Sequence, residues 1–255
     1  DFRVASRKLK RRLDYHLQAW REASGNAEAK AILIGHSSGG LVARYYAEVL
    51  GGWADCHAVV TIGTAHRGIP SALNVLANGQ KVALIDMSAL FRSFTSMYQL
   101  LPIYKIVQFQ DEYYRVAELD NIPNVDRARA QMALAFHREI ENAAKRNLQN
   151  ENYINHFSTI PFSGVGQSTM QSARLSGQKL TLSEDLPGVI TSDYFRDGDG
   201  TVPLVSSIPL LPGIEGAQNS FNETHSFLPA NKLVLEKLRD ILHGIAGNHS
   251  GEHIR

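Results

Sequence analysis

The stretch "AILIGHSSGGLVARYY" (Ala31 to Tyr46) sets two serines side by side between glycines. Within it, Gly35-His36-Ser37-Ser38-Gly39 fits the pattern G-x-S-x-G with Ser37 at its centre. Where a strand turns sharply into a helix, this pattern lifts a serine hydroxyl clear of the strand end, and the flanking glycines avoid collisions. The surroundings match: the apolar run "KAILIG" precedes the serines, and helix-forming "GGLVARYYAEVL" follows and stops at Gly51-Gly52. Ser37 is therefore a candidate nucleophile. The backbone N–H of Ser38, at a helix start with its partial positive charge, is a candidate donor to an oxyanion. The plainer reading is a Gly/Ser loop that caps a helix.

A serine hydroxyl attacks at neutral pH only when a base takes its proton. Ten histidines compete for that role. His36 lies inside the turn and is expected to point elsewhere. His66, in "TAHRG" just past the apolar run "HAVVTIG", stays in contention. His225, in "FNETHSFLP" directly before the last helical run, is the preferred base, whereas His243, His249 and His253 fall within or beyond that run. An acid to orient the base is sought in "DYFRDGDGTVPLVSS", which offers Asp193, Asp197 and Asp199. Asp199 is preferred, because the Gly-Thr-Val-Pro after it turns the chain and buries a valine beside the carboxylate. A calcium loop would need glycine at its sixth position, where Val202 stands counted from Asp197. Ser37, Asp199, His225 is the chain order that α/β-hydrolases follow.

Elements must hold these residues. Residues 3 to 22 read as an amphipathic helix with Leu9, Leu13, Leu17 and Trp20 on its apolar side and "RKLKRR" (Arg7 to Arg12) on its wet face. Strand, helix and strand then follow each other without hairpin signals, which predicts a parallel sheet with crossover helices. From about residue 70 the texture becomes aromatic and helical, in "LFRSFTSMYQLLPIYKIVQF" and "VDRARAQMALAFHREIENAAKRN". The sheet is expected to resume at "STIPFSGVG" and again at "GVITSDYF", and a last helix, with Leu233, Leu235, Leu238, Ile241 and Leu242 at helical intervals, is to close the domain. The expected fold is α/β, a mainly parallel sheet with a mostly helical cap insertion. Its parts are residues 1–80 (core with the serine turn), 81–155 (cap or lid) and 156–255 (core with the acid and histidine loops).

Composition narrows the function. The 255 residues are 44% hydrophobic and 20% charged with a formal net charge of +1, an ordinary globular balance with no drive toward nucleic acid. There is no G-x-G-x-x-G, G-K-[ST], C-x-x-C or H-E-x-x-H, so no cofactor or metal is expected. The single cysteine, Cys56, excludes an intrachain disulfide and leans toward a reducing, cytoplasmic setting. "NET" at Asn222 and "NHS" at Asn248 fit the short glycosylation pattern.

These residues resemble the lecithin:cholesterol acyltransferase-like branch of α/β-hydrolases, which includes phospholipases A and acyltransferases. The resemblance covers most of the chain. "LIGHSSGGLVARYY" looks like its nucleophile turn, "VVTIGTAHRGIPSAL" like the next strand and loop, and "RSFTSMYQLLP" like part of its cap. "FRDGDGTVPLVSS" and "NETHSFL" look like its acid and histidine loops, and the initial "DFR" resembles its D-W-R. Ala65 stands where relatives often carry proline. The resemblance implies an acylated Ser37, an orienting Asp199, His225 as base, and an ester or acyl-lipid substrate, with transient membrane-surface contact through the cap. It further implies first strands and an oxyanion loop upstream of "DFR". The sequence is thus expected to be a piece of a longer protein, or to have its sheet completed by another chain; a lost oxyanion donor would cost roughly 10²–10³ in rate. Transfer of the acyl group to an alcohol, and a hydrolase-fold binding domain without catalysis, are the competing expectations.

Overall fold

The computed structural model describes residues 1–190, 192, 196–211 and 219–250. Helix α1 (Phe2–Ser24) opens on Asp1, whose side chain accepts from the Arg3 amide, and closes on Gly25 in the left-handed region. Its buried stripe runs through Phe2, Ser6, Leu9, Leu13 and Leu17, while Arg7, Lys8, Arg11 and Arg12 face solvent. Trp20 departs from the expectation: it is 53% exposed, because the covered stripe runs at spacings of four from Leu13 and Leu17 to Arg21, which bonds the Ala29 carbonyl and Asp55.

Strand β1 (Ala31–His36), helix α2 (Ser38–Val49) and strand β2 (Cys56–Ile62) form the unit that carries the serines. β2 is apolar almost throughout because both its faces are covered. Val59 packs with Ala43, Tyr46 and Ala47 of α2, whereas Val60 and Ile62 point to the opposite face. The chain continues through α3 (Pro70–Asn78), the hairpin β3 (Lys81–Val82) and β4 (Ile85–Asp86), then α4 (Ser88–Ser93) and α5 (Thr95–Gln99). Short strands β5 (Val107–Phe109) and β6 (Glu112–Tyr114) precede α6 (Arg127–Asn147), which Asp126 caps, and α7 (Glu151–His156). Then come β7 (Ser158–Val165), β8 (Ser172–Ser176), β9 (Lys179–Ser183), α8 (Leu204–Ser207), β10 (Asn219–Asn222) and α9 (Lys232–Ser250).

Two larger sheets result. β1, β2, β7 and β10 lie in that order and run parallel throughout. Their strand ends therefore point one way, which is what gathers loops into a site. A second sheet, β6-β5-β8-β9, joins residues 107–114 to residues 172–183 and covers a cluster of Leu73, Leu76, Ile106, Val107, Leu175 and Leu180. α6 links the two bodies: Ala130 and Ala133 enter that cluster, and Phe136 and Ile140 pack on Phe2, Leu41 and Tyr45. β1 is the outer strand of the described parallel sheet, with Ile34 49% exposed.

Two of the later runs differ in detail from their expected forms among the described residues. In "GVITSDYF" the described residues 188–190 do not extend the sheet: the Ile190 amide donates to the Pro187 carbonyl in a turn, while residues 191 and 193–195 lie outside the described residues. A proline followed by glycine favours that turn over an extended start. The last helix buries Val234, with Leu238 and Ile241 packed beside it, whereas Leu233 and Leu235 are exposed. Spacings of four and three from Val234 define that face, so its neighbours on either side turn outward. Among the described residues no helix is long and apolar enough to cross a membrane.

Candidate active site

Ser37 joins the end of β1 to the start of α2 with φ 53° and ψ −128°. A non-glycine residue with such a φ is under strain, of about 1–3 kcal/mol in general. Two contacts hold it there: its amide donates to the Ile62 carbonyl at 2.9 Å, and its carbonyl accepts from the Gly40 amide at 3.1 Å. Close packing enforces the turn. A Cβ on Gly35 would stand 2.6 Å from the Gly40 nitrogen, and one on Gly40 would stand 2.0 Å from Thr64 Oγ1. Gly39, the second flanking glycine of the motif, has nothing within 4 Å of where a Cβ would stand. The helix packs through Gly40, one residue on. Ser38 is the first residue of α2, so its N–H has no acceptor inside the helix.

Asp199 and His225 arrive from two other loops. Asp199 is 1% exposed and bridges to Gln167 past the end of β7. Its Oδ1 accepts from the amides of Thr201 at 3.0 Å and Val202 at 2.6 Å, the turn that Gly-Thr-Val-Pro imposes. Its Oδ2 faces His225 Nδ1 at 2.8 Å. Gly164 makes room: a Cβ there would come 2.5 Å from the Cβ of Asp199. His225 follows β10, and its Nε2 lies 3.0 Å from Ser37 Oγ. The structure thus brings Ser37, His225 and Asp199 into one hydrogen-bonded chain, drawn from residues up to 188 positions apart.

The other candidates are placed elsewhere. His66 is buried, with Nε2 3.0 Å from Thr61 Oγ1 and Nδ1 3.4 Å from Arg44 Nη1. Burial, followed by the nearby Arg44 and Arg67 cations, holds its pKa well below the ordinary imidazole value. Asp197 Oδ1 accepts from the Gly166 and Gly198 amides, at 2.6 and 2.7 Å, and so ties its own loop to the end of β7. Asp193 lies outside the described residues. Cys56 is buried, which pushes its thiol up to about 12 and leaves it inert.

His36 corrects the sequence reading. It points into the site, not away from it: its Nε2 lies 3.0 Å from the His225 carbonyl, and the two rings stand 4.9 Å apart. Nothing local in the sequence marks this, because the partner is 189 residues distant.

A hydroxyl, an imidazole and a buried carboxylate linked in this order can pass a proton from oxygen to nitrogen while the carboxylate steadies the resulting cation. The parallel sheet with helices on both faces, and a strained serine at a strand-to-helix turn, define an α/β-hydrolase fold. The chain belongs to the lecithin:cholesterol acyltransferase family, whose model matches residues 1–203. That match takes in Ser37 and Asp199 and ends before His225. Among solved structures, the Tle4–Tli4 complex is similar, with a TM-score of 0.62 at 14% identity over 91% of this chain and 63% of that one. Bacillus licheniformis lipase BlEst2 in its mature form gives a TM-score of 0.44 at 13% identity, over 89% of this chain and 70% of that one. The chain therefore spans less than two thirds of the length of the first of these. No curated protein matches it.

Proposed function

We propose that this protein is a serine hydrolase that cleaves carboxylic esters of acyl lipids through an acyl-enzyme on Ser37. One observation carries the reading: the unbroken relay Ser37 Oγ, His225 Nε2, His225 Nδ1, Asp199 Oδ2, with steps of 3.0 and 2.8 Å. His225 takes the Ser37 proton as the oxygen attacks the ester carbonyl, and Asp199 stabilises the imidazolium that forms. The oxyanion of the tetrahedral intermediate accepts from the Ser38 N–H. His225 then returns the proton to the leaving alcohol, and water, deprotonated by the same imidazole, releases the acyl group.

Family membership supports an acyl-lipid substrate. So does the cap, whose β3–β4 hairpin carries Val82, Leu84 and Ile85 toward solvent. A contact with a lipid surface through this hairpin is part of the proposal. The family's description equally favours an alcohol in place of water as the acceptor. Incubation with a fluorophosphonate probe and a p-nitrophenyl ester tests the reading: both labelling and turnover are expected to vanish in Ser37→Ala. Ester turnover at the wild-type rate in that variant would remove Ser37 from the mechanism. Adding a long-chain alcohol and resolving the products separates transfer from hydrolysis.

A further inference from the structure

His225 is gripped at every polar atom it has. Its N–H donates to the Asp199 carbonyl at 2.8 Å, its ring nitrogens face Asp199 and Ser37, and its carbonyl meets His36 Nε2 at 3.0 Å. A ring nitrogen facing a carbonyl oxygen must carry the hydrogen, so His36 is the donor. Likewise Nδ1 of His225, facing a carboxylate, carries its proton, which leaves the Nε2 lone pair toward Ser37.

Of these contacts, the one through His36 is distinctive in its origin. His36 is bonded directly to Ser37 and pairs with Ile62 in the sheet register, while the Ser37 amide bonds the Ile62 carbonyl. The residue that clasps the histidine loop and the residue that presents the hydroxyl are thus anchored to one point of β2. Other hydrogen bonds of this loop are local, since Glu223 accepts from Thr224 and Asn231 and the Phe227 and Leu228 amides donate to the Thr224 carbonyl, while the Leu228 side chain packs on Val60, Ile62 and Phe162. These hydrogen bonds shape the loop and the Leu228 packing seats it on the sheet, whereas His36, the residue next to Ser37, holds it by a directed bond. The half-buried His36 ring also lies against the His225 ring, tilted by 36°.

We infer that His36 is a positioning residue: by donating to the His225 carbonyl it sets the distance between the His225 imidazole and the Ser37 hydroxyl. The inference rests on His225 serving as the base for Ser37. Misplacing a reacting group by about an ångström can cost on the order of 10²-fold in rate.

Two variants separate the hydrogen bond from the ring. His36→Phe keeps an aromatic ring and loses the donor; His36→Gln loses the ring and keeps an N–H able to reach the same carbonyl. With a p-nitrophenyl ester, His36→Phe is expected to lower kcat by about 10–100-fold with KM nearly unchanged, and to slow fluorophosphonate labelling of Ser37 in parallel. His36→Gln is expected to stay within a few-fold of wild type, and both are expected to keep the wild-type melting temperature to within a few degrees. Equal kcat in the two variants, whether both fast or both slow, overturns the inference, as does a loss confined to KM. If His36→Phe does not fold, His36→Ala replaces it and is read in the same way. A Ser37→Ala control that still turns over ester would overturn the functional reading instead, so the two failures are distinguishable.

Discussion

Asp199 and His225 are joined twice, once through the main chain and once through the side chains, and both contacts measure 2.8 Å. The backbone bond, His225 N–H to the Asp199 carbonyl, holds the two loops together whatever the carboxylate does. The side-chain bond alone fixes the tautomer of the imidazole. Asp199→Asn should therefore leave the fold intact while lowering kcat by about 10³–10⁴-fold, a size typical of such a replacement. Steady-state kinetics together with a thermal melt check this. A loss below tenfold would show that the carboxylate does not orient the base.

The backbone of Ser37 gives a second test. Ser37→Ala removes the hydroxyl but keeps a Cβ at φ 53°, whereas Ser37→Gly removes both. Both variants should be inert toward the ester. The glycine variant should melt higher than the alanine variant by a few degrees, about what 1 kcal/mol of relieved strain gives in a chain of this size. A glycine variant that melts lower would mean the turn is not strained.

Acid should weaken the fold through His137. It is buried on α6, donates from Nε2 to the Gln99 carbonyl at 2.7 Å, and burial lowers its pKa to about 4. In the unfolded chain an imidazole titrates near ~6.5. Between those two values the unfolded chain binds a proton that the folded chain does not. Stability is therefore flat above the unfolded pKa and falls as the pH drops toward about 4, by roughly 3 kcal/mol at the end of that window. Urea unfolding at neutral and at mildly acid pH should show a smaller acid loss in His137→Gln than in wild type. Identical losses would assign the acid sensitivity to other groups.

The β3–β4 hairpin offers a test that leaves the site untouched. Leu84 at its tip is 99% exposed. Moving one leucine from water into a lipid interface contributes about 2 kcal/mol. Leu84→Asp should thus reduce turnover of phospholipid vesicles about tenfold or more while leaving a soluble p-nitrophenyl ester unaffected. Equal effects on the two substrates would remove the hairpin from any contact with lipid.

What the sequence disclosed was local or ordered. The serine turn is legible because its strand, glycines and helix are adjacent in the chain. The strand "HAVVTIG" is legible because burial on both faces leaves an almost unbroken apolar run, and "AILIGH" is legible from its apolar run although its outer place leaves Ile34 half exposed. The order of Ser37, Asp199 and His225 could be read, but their convergence depends on the parallel register of β1, β2, β7 and β10. His36 shows the limit most clearly: its partner carbonyl belongs to a residue 189 positions away, and a backbone atom leaves no signature in side-chain type. Trp20 and Leu235 mark another limit. Several apolar spacings fit a helix at once, and which of them becomes the covered stripe is decided by the tertiary surface the helix meets: Arg21 and not Trp20, Val234 and not Leu235.

All strands of the parallel sheet finish on one side, and the relay leans on the strands and on the turns that follow them: Ser37 on Ile62, Asp199 on Thr201 and Val202, His225 on His36 and Asp199. None of these supports comes from the hairpin or from α4 and α5. The proposed relay and the hairpin proposed to contact lipid are consequently separate parts of the structure. Recombining residues 82–85 between relatives, or randomising them in a library, would probe the proposed lipid contact while leaving those supports in place.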